Sequence, residues 1–300
     1  MSELTKRVAV ALVGIPLAIV LIYVGGWALG VALAIFAAGA SVEVARLAVA
    51  IGVRPARVGG AIGAAMLVAV ATAEPSLGGA APLLWLVVVG VVLLTGAWAI
   101  RARGVEGRPI EAVAATLLGM LWPGAGLLFA LFLRHFPETA GLATGAGESA
   151  RMGTALVVYA VGLTWINDTC AFFAGRAWGR RKLIPAVSPG KTVVGAVAGV
   201  IGAVVVGGLF AEFALFRWLG LPVGLLSGAL GGALIAVAAQ TGDLVESLFK
   251  REAGVKDSGR LFPGHGGVLD RFDALFFTLP AGYMYLVLVI RVVGGGVVWP

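Results

Sequence analysis

The stretch VAVALVGIPLAIVLIYVGGWALGVALAIFAAGASV, residues 8–42, decides the fold because its 35 residues carry no charged side chain. As a single helix rising about 1.5 Å per residue it would be roughly 50 Å long. The hydrocarbon core of a bilayer is only about 30 Å thick. Gly25-Gly26 lies in the middle of the run, so we predict two membrane-spanning helices here, divided at the two glycines.

The rest of the chain has the same character. Of its 300 residues, 60% are hydrophobic and 12% are charged, against about 25% charged residues in a typical soluble domain. The 46 glycines suit membrane helices that pack closely, and the single cysteine, Cys170, excludes an intrachain disulfide. Seven further apolar runs follow, and together they predict an all-α polytopic integral membrane protein with about nine transmembrane helices: 58–73, 75–100, 112–133, 152–175, 192–216, 219–242 and 274–290.

The basic residues predict the orientation, since cytoplasmic loops of membrane proteins are enriched in Lys and Arg. With nine spans and a cytoplasmic N-terminus, 18 of the 22 basic residues fall on the inner side. The outer side receives only Arg134, Arg151, Arg217 and Arg291. We therefore predict a cytoplasmic N-terminus and an outside C-terminus in the cytoplasmic (inner) membrane. The net charge of +7 thus reflects membrane topology, and we expect no nucleic-acid partner.

The two halves differ in their loops. Residues 1–150 hold about five spans with short, plain loops, which predicts a scaffold with dimer or lipid contacts. Residues 151–300 contain two longer inner loops, 176–191 and 250–271, dense in Gly, Pro and charge. Long polar loops on one face of a membrane bundle are where binding and chemistry concentrate, so we predict that 151–300 is the catalytic region.

Six of the 15 acidic residues lie between positions 243 and 273. Asp243 and Glu246 are three residues apart and share a helix face, and Asp270 and Asp273 have the same spacing. Four carboxylates at a membrane boundary would suit a hard cation such as Mg²⁺. The spacing leaves alternatives open: acids favour a helix N-terminus, and Glu246 could pair with Lys250 one turn later.

The loop between these acids combines glycines with cations. Gly264, Gly266 and Gly267 surround His265, and glycine lets backbone N–H groups approach a phosphate closely. Five basic residues accompany them: Lys250, Arg251, Lys256, Arg260 and Arg271. This composition predicts a site for phosphate and metal. The basic residues alone could instead follow the topology rule or attract anionic lipid, and His265 could make a structural hydrogen bond.

Residues 247–273, SLFKREAGVKDSGRLFPGHGGVLDRFD, resemble the signature of the phosphatidate cytidylyltransferases (CDP-diacylglycerol synthases). That pattern has Ser, Lys-Arg, Lys-Asp, His-Gly-Gly and Asp-Arg-x-Asp, and every element is present at the family spacing. A second block, NDTCAF at 167–172 and PAVSPGKT at 185–192, is also similar. The chain departs there: Phe172 stands where Tyr is usual, and Val194 stands where the family usually has Glu.

The resemblance implies transfer of CMP from CTP to phosphatidic acid, which gives CDP-diacylglycerol and pyrophosphate for phospholipid biosynthesis. It implies Asp243 and Asp270 as Mg²⁺ ligands, with Asp168 and Asp273 as further candidates and a second cation as a further expectation. The catalytic set is expected to be Asp243, Asp270, Lys250 and Asp273. The residues expected to bind CTP or lipid phosphate are Ser188, Lys191, Ser247, Arg251, Lys256, Asp257, His265, Gly266, Gly267 and Arg271. A homodimer and an active site on the cytoplasmic face are implied as well.

Two other functions stay open at this stage. A related CTP-dependent lipid enzyme, such as a polyprenol kinase or another lipid-phosphate cytidylyltransferase, would share the metal chemistry and differ in its acceptor. A transporter could use the intramembrane acids Glu43, Asp168 and Glu212 as ion relays. Transporters usually bind substrate at the bilayer midplane, whereas this chain concentrates its polar residues at one interface. The resemblance assigns no role to Glu43 or Glu212.

Overall fold

The computed structural model describes residues 3–259 and 266–293, without the side chains of 3–11 and 13. Within these ranges the chain is almost entirely helical. The elements are α1 (Glu3–Val24), α2 (Gly26–Ala50), α3 (Arg57–Ala73), α4 (Leu77–Ala102), α5 (Pro109–Thr139), α6 (Ala146–Trp178), β1 (Lys182–Ile184), β2 (Ser188–Thr192), α7 (Val193–Phe210) followed by a π-helix (Ala211–Trp218), α8 (Leu225–Glu252), α9 (Leu269–Phe272) and α10 (Leu275–Val293).

Seven helices in the described ranges are long and apolar enough to cross a membrane. They are α2, α4, α5, α6, α7 with its π-helical extension, α8, and α9 continued by α10. Two shorter apolar segments accompany them, Gly14–Val24 of α1 and α3. Large apolar side chains such as Leu86, Leu94 and Ile100 are mostly exposed on α4, which only a lipid environment would tolerate on this scale. The predicted all-α polytopic membrane protein is confirmed, while the count of nine spans and the orientation stay predictions.

Several helix ends follow directly from the sequence. Gly25 and Gly26 have φ angles of 66° and 48°, a left-handed conformation that glycine adopts without strain, and they separate α1 from α2 as predicted. Ser76 Oγ accepts the Gly79 N–H at the start of α4. Thr192 Oγ1 accepts the Gly195 N–H at the start of α7. Each of these hydroxyls satisfies a backbone donor that has no partner within the helix.

The predicted loop 176–191 differs from a plain loop. The helix α6 continues to Trp178, and β1 and β2 then form an antiparallel hairpin with Lys182 opposite Thr192 and Ile184 opposite Ser188. Strand pairing satisfies backbone hydrogen bonds that a plain loop would leave to water. The hairpin leads directly into α7, so the side chains of β2 are held at the end of a membrane-spanning helix.

The chain divides into two compact units. The predicted division near residue 150, into a scaffold and a catalytic region, stays a prediction. Unit 1 comprises the described residues of Met1–Phe132 and Phe249–Phe272. Its interior contains Leu67, Leu127 and Leu131, all nearly inaccessible to solvent. A Cβ added at Gly124 would come within 2.9 Å of the Ala64 Cα, so α3 and α5 approach through small residues.

Unit 2 comprises the described residues of Leu133–Leu248 and Asp273–Trp299. The helices α6, α7, α8 and α10 supply its core. A Cβ at Gly232 of α8 would overlap the Ala203 carbonyl of α7, and one at Gly282 would lie 3.1 Å from the Ala160 Cβ. The Tyr159 hydroxyl donates to the Gly228 carbonyl. The expected role of glycine in close helix packing is confirmed at these contacts.

Candidate functional site

Three carboxylates converge in unit 2, and we call Asp243, Glu246 and Asp273 the acidic cluster. Asp243 and Glu246 lie one turn apart on α8, and Asp273 precedes α10. Each offers an oxygen, and these oxygens all lie within 4.8 Å of one another. Glu246 is 1% exposed, whereas the two aspartates are half-buried. A Cβ at Gly242 would lie 2.7 Å from the Asp273 carbonyl oxygen, so this glycine allows α8 to approach Asp273.

A lysine of the hairpin neutralises part of the cluster. Lys191 Nζ lies 2.6 Å from Asp243 Oδ2, and the Ser247 hydroxyl donates to Asp243 Oδ1 at 3.3 Å. The predicted residues Lys191, Ser247, Asp243 and Asp273 are thus brought together within unit 2. Ser188, also predicted, lies half-buried at the other end of β2.

The donor set of the cluster fits a hard divalent cation. Carboxylate oxygens are preferred by Mg²⁺, and ligands at about 2.1 Å place two oxygens at most about 4.2 Å apart. The 4.8 Å limit of the cluster is close to that separation. Three carboxylates also repel one another, which favours a cation between them. Asp243, Glu246 and Asp273 are therefore the residues that could hold a metal.

Glu246 is the member of the cluster that the predicted ligand set omits. Its spacing from Asp243 points to it, whereas the predicted set contains Asp168 and Asp270 in its place. Asp168 lies outside the cluster and accepts a hydrogen bond from the Asn167 side chain at 3.0 Å. Gln240 donates in turn to the Asn167 amide oxygen at 2.9 Å. The metal-binding role of Asp168 stays a prediction.

Asp270 belongs to unit 1 and is held there by donors of the protein itself. Lys250 Nζ lies 2.8 Å from Asp270 Oδ1, and both side chains are mostly buried. Oδ2 accepts the backbone N–H groups of Ser258 at 3.0 Å and Gly267 at 2.7 Å. Lys250 thus pairs with Asp270, and the role of Asp270 as a metal ligand stays a prediction.

The Gly267 N–H was predicted to reach a substrate phosphate, and the structure gives it another partner. It donates to Asp270, and the next two amides, Val268 and Leu269, donate to Glu43. Gly266 has a φ of 78°, and a Cβ there would lie 2.5 Å from Asp270 Oδ2. These glycines are required because the backbone turns tightly around carboxylates of the protein.

Glu43 is a functional candidate to which the sequence assigned no role. This α2 residue is 3% exposed. Ser258 Oγ lies 2.9 Å from Glu43 Oε2 and 2.9 Å from Asp270 Oδ2. We call Glu43, Ser258 and Asp270 the loop clamp. Ser258 is 215 positions from Glu43 in the chain, so no local pattern reveals the contact.

The remaining predicted residues lie around the 250–271 segment. Arg251, Lys256, Asp257 and Arg271 are exposed in the structure, as a role in binding a substrate from solution requires. His265 and Arg260 lie outside the described residues. The substrate roles of these residues stay predictions.

Known proteins resemble this chain over most of its length. A model of the cytidylyltransferase family matches residues 5–289. The phosphatidate cytidylyltransferase of Brucella suis is 39% identical over 205 residues, covering 67% of this chain and 71% of that protein. The enzyme of the same name from Synechocystis is 33% identical over 302 residues, covering 96% and 98%. That of Staphylococcus saprophyticus is 43% identical over 136 residues, covering 44% and 49%.

Proposed function

The chain belongs to the cytidylyltransferase family, and we propose that it transfers CMP from CTP to phosphatidic acid. An oxygen of the lipid phosphate attacks the α-phosphorus of CTP, and the bond from that phosphorus to the bridging oxygen breaks. Pyrophosphate leaves with the bonding electrons, and CDP-diacylglycerol remains. The lipid supplies the nucleophile, so the enzyme needs no nucleophilic side chain. Its task is to hold two anionic reactants in line.

The observation that carries the proposal is the acidic cluster beside Lys191. Mg²⁺ held by Asp243, Glu246 and Asp273 would neutralise phosphate charge and polarise the phosphoryl oxygens. Lys191 contacts Asp243 at 2.6 Å and can turn its ammonium group to a phosphate when the carboxylate is engaged elsewhere. Ser247 holds the other Asp243 oxygen and fixes the carboxylate orientation.

The basic residues of the 250–271 segment supply the remaining phosphate contacts in this proposal. Arg251, Lys256 and Arg271 are exposed and offer cationic donors to the triphosphate. Lys250 pairs with Asp270 and keeps that carboxylate in one orientation. The lipid acyl chains remain in the bilayer while CTP arrives from water. Neutralising both phosphates lowers the repulsion that otherwise keeps the reactants apart.

The deciding experiment uses the purified full-length protein with phosphatidic acid, Mg²⁺ and CTP labelled at either the α- or the γ-phosphate. The α-label should appear in a CDP-lipid, and the γ-label should appear in pyrophosphate. Transfer of the γ-label to lipid would identify a kinase and contradict the proposal. Parallel reactions with polyprenol and polyprenyl phosphate test the related lipid acceptors, and a chelator should abolish transfer.

We also propose nine spans in the inner membrane, a cytoplasmic N-terminus and a catalytic face on the cytoplasmic side. The support is the charge distribution, with 18 of 22 basic residues on one side. In a Cys170→Ala background, Glu106→Cys should react with an impermeant thiol reagent only after the cells are opened. Ala146→Cys should react in intact spheroplasts. Both positions are exposed in the structure. The opposite labelling pattern would invert the topology.

A homodimer is part of this proposal, and the mass of the detergent-solubilised protein tests it.

A further inference from the structure

Glu43 is a buried acid within a long apolar helix. The surrounding α2 sequence, Gly26–Ala50, is one of the candidate membrane spans, and the Glu43 side chain is 3% exposed. Burying a carboxylate costs free energy unless hydrogen bonds compensate for the lost water. A side chain this costly in such a helix calls for a specific function.

Within the described residues, Glu43 accepts hydrogen bonds from Ser258, Val268 and Leu269, which belong to unit 1. Its Oε1 accepts the Val268 N–H at 3.1 Å, and its Oε2 accepts the Leu269 N–H at 2.8 Å. The Ser258 hydroxyl lies 2.9 Å from the same Oε2. One carboxylate therefore joins α2 to the Ser258 side chain and to the backbone amides of Val268 and Leu269.

The backbone around Glu43 is shaped to fit its carboxylate. A Cβ added at either Gly259 or Gly267 would overlap the Glu43 carboxylate oxygens. Any other residue at these two positions would push the chain away from the acid. Glycine at these two positions therefore allows the backbone to pack directly against the Glu43 carboxylate.

The same segment orients Asp270. The Gly267 N–H donates to Asp270, and the next two amides, of Val268 and Leu269, donate to Glu43. Ser258 Oγ lies at an equal 2.9 Å from a Glu43 and an Asp270 oxygen. Moving Glu43 would therefore shift both the hydroxyl and the turn that hold Asp270.

We propose that Glu43 is a positioning residue of the transferase: it fixes the loop clamp so that Asp270 keeps the orientation the reaction requires. This inference rests on the proposed function and on the expectation, from the sequence, that Asp270 belongs to the catalytic set. Glu43 itself is buried among protein donors, so it acts through Asp270 and Ser258.

The test compares Glu43→Gln with the matched control Glu212→Gln. In the parent, each carboxylate oxygen of Glu43 accepts a backbone N–H group, from Val268 or Leu269. The NH₂ group of the glutamine would replace one of these acceptors in either side-chain orientation, so one of the two hydrogen bonds would be lost. We expect kcat to fall about 10–100-fold, or the Mg²⁺ concentration for half-maximal rate to rise by that factor, as for residues behind metal ligands. The KM for CTP should change little. Glu212→Gln should stay within about twofold of the parent.

A second readout does not depend on turnover. Hydrogen–deuterium exchange of a peptide containing Val268 and Leu269 should accelerate in Glu43→Gln, while a peptide from α4 exchanges as in the parent. If Glu43→Gln fails to fold, Ser258→Ala removes the shared hydroxyl and should still lower kcat several-fold.

Parent-like kcat, Mg²⁺ dependence and exchange in Glu43→Gln would overturn the inference. Absence of CMP transfer by the parent would instead overturn the proposed function, and the exchange measurement would still decide whether Glu43 holds the segment.

Discussion

The loop clamp in unit 1 and the acidic cluster in unit 2 are built from the same residue types and differ in what surrounds them. Glu43 and Asp270 receive backbone N–H groups, a serine hydroxyl and a lysine. Asp243, Glu246 and Asp273 instead face one another, with Lys191 bound to Asp243. Carboxylates surrounded by donors hold a backbone in place, whereas carboxylates gathered together favour a cation. The loop clamp therefore fixes the orientation of Asp270, whereas the acidic cluster is suited to binding a cation.

Removing a charge from the acidic cluster should have the largest effect on activity. Asp243→Asn removes the negative charge of one expected metal ligand, and with it the ion pair between Asp243 and Lys191. We expect the CMP-transfer rate to fall at least about 1,000-fold, more than the 10–100-fold typical of residues behind a metal ligand. Steady-state rates with labelled CTP measure this. Retention of full rate in a folded variant would remove the cluster from the mechanism.

Removing the lysine from the buried pair of unit 1 should mainly lower stability. Lys250→Met removes the ammonium group 2.8 Å from Asp270 Oδ1, and the Asp270 side chain is only 7% exposed. Breaking a buried ion pair in this way costs about 3 kcal/mol or more in the free energy of unfolding. Thermal unfolding in detergent measures the loss. Lys182→Met, which removes an exposed lysine on β1, is the control and should leave Tm nearly unchanged.

A larger residue at position 267 tests how closely the backbone packs against Glu43 in the loop clamp. Gly267→Ala places a methyl group against the Glu43 carboxylate, and such overpacking costs about 1–3 kcal/mol. A lower Tm and a lower transfer rate are expected together. Gly96→Ala on α4 adds the same methyl group where no atom beyond its own turn of helix lies within 4 Å, so its Tm should not fall. Equal behaviour of the two variants would contradict the close approach at Gly267.

The smallest effect is expected from an acid outside both groups. Glu212 pairs with the exposed Arg217 at 2.8 Å and accepts the Leu225 N–H at 3.2 Å. Exposed ion pairs contribute little to stability, so Glu212→Gln should change Tm only slightly. Its transfer rate should match the parent. A large loss of rate would extend the functional residues beyond the two acidic groups.

Much of the fold could be predicted because membrane helices follow apolar runs. The run 75–100 became Leu77–Ala102, and the run 192–216 became α7 with its π-helical extension. The hairpin was missed because SPGKT, with Pro189 and Gly190, is typical of a loop. Its strand pairing depends on where α6 ends and α7 begins.

The candidate site was predicted in part. Asp243 and Asp273 were expected in one carboxylate group and lie in it, since the spacing on α8 and the family pattern both pointed there. Glu246 was indicated by spacing but is missing from the predicted ligand set. Glu43 stood out only as an acid in an apolar run, and nothing local revealed its contacts, because its partners lie more than 200 positions away.

The sequence by itself determined that this protein lies in a membrane and where most of its helices run, and it predicted which segments carry the chemistry. Hydrophobic runs and basic loops are local properties, so composition and order along the chain suffice to identify them. Only the tertiary structure decided which carboxylates hold the backbone and which gather with one another. That division depends on the donors within hydrogen-bonding distance of each oxygen, and chain folding sets those distances.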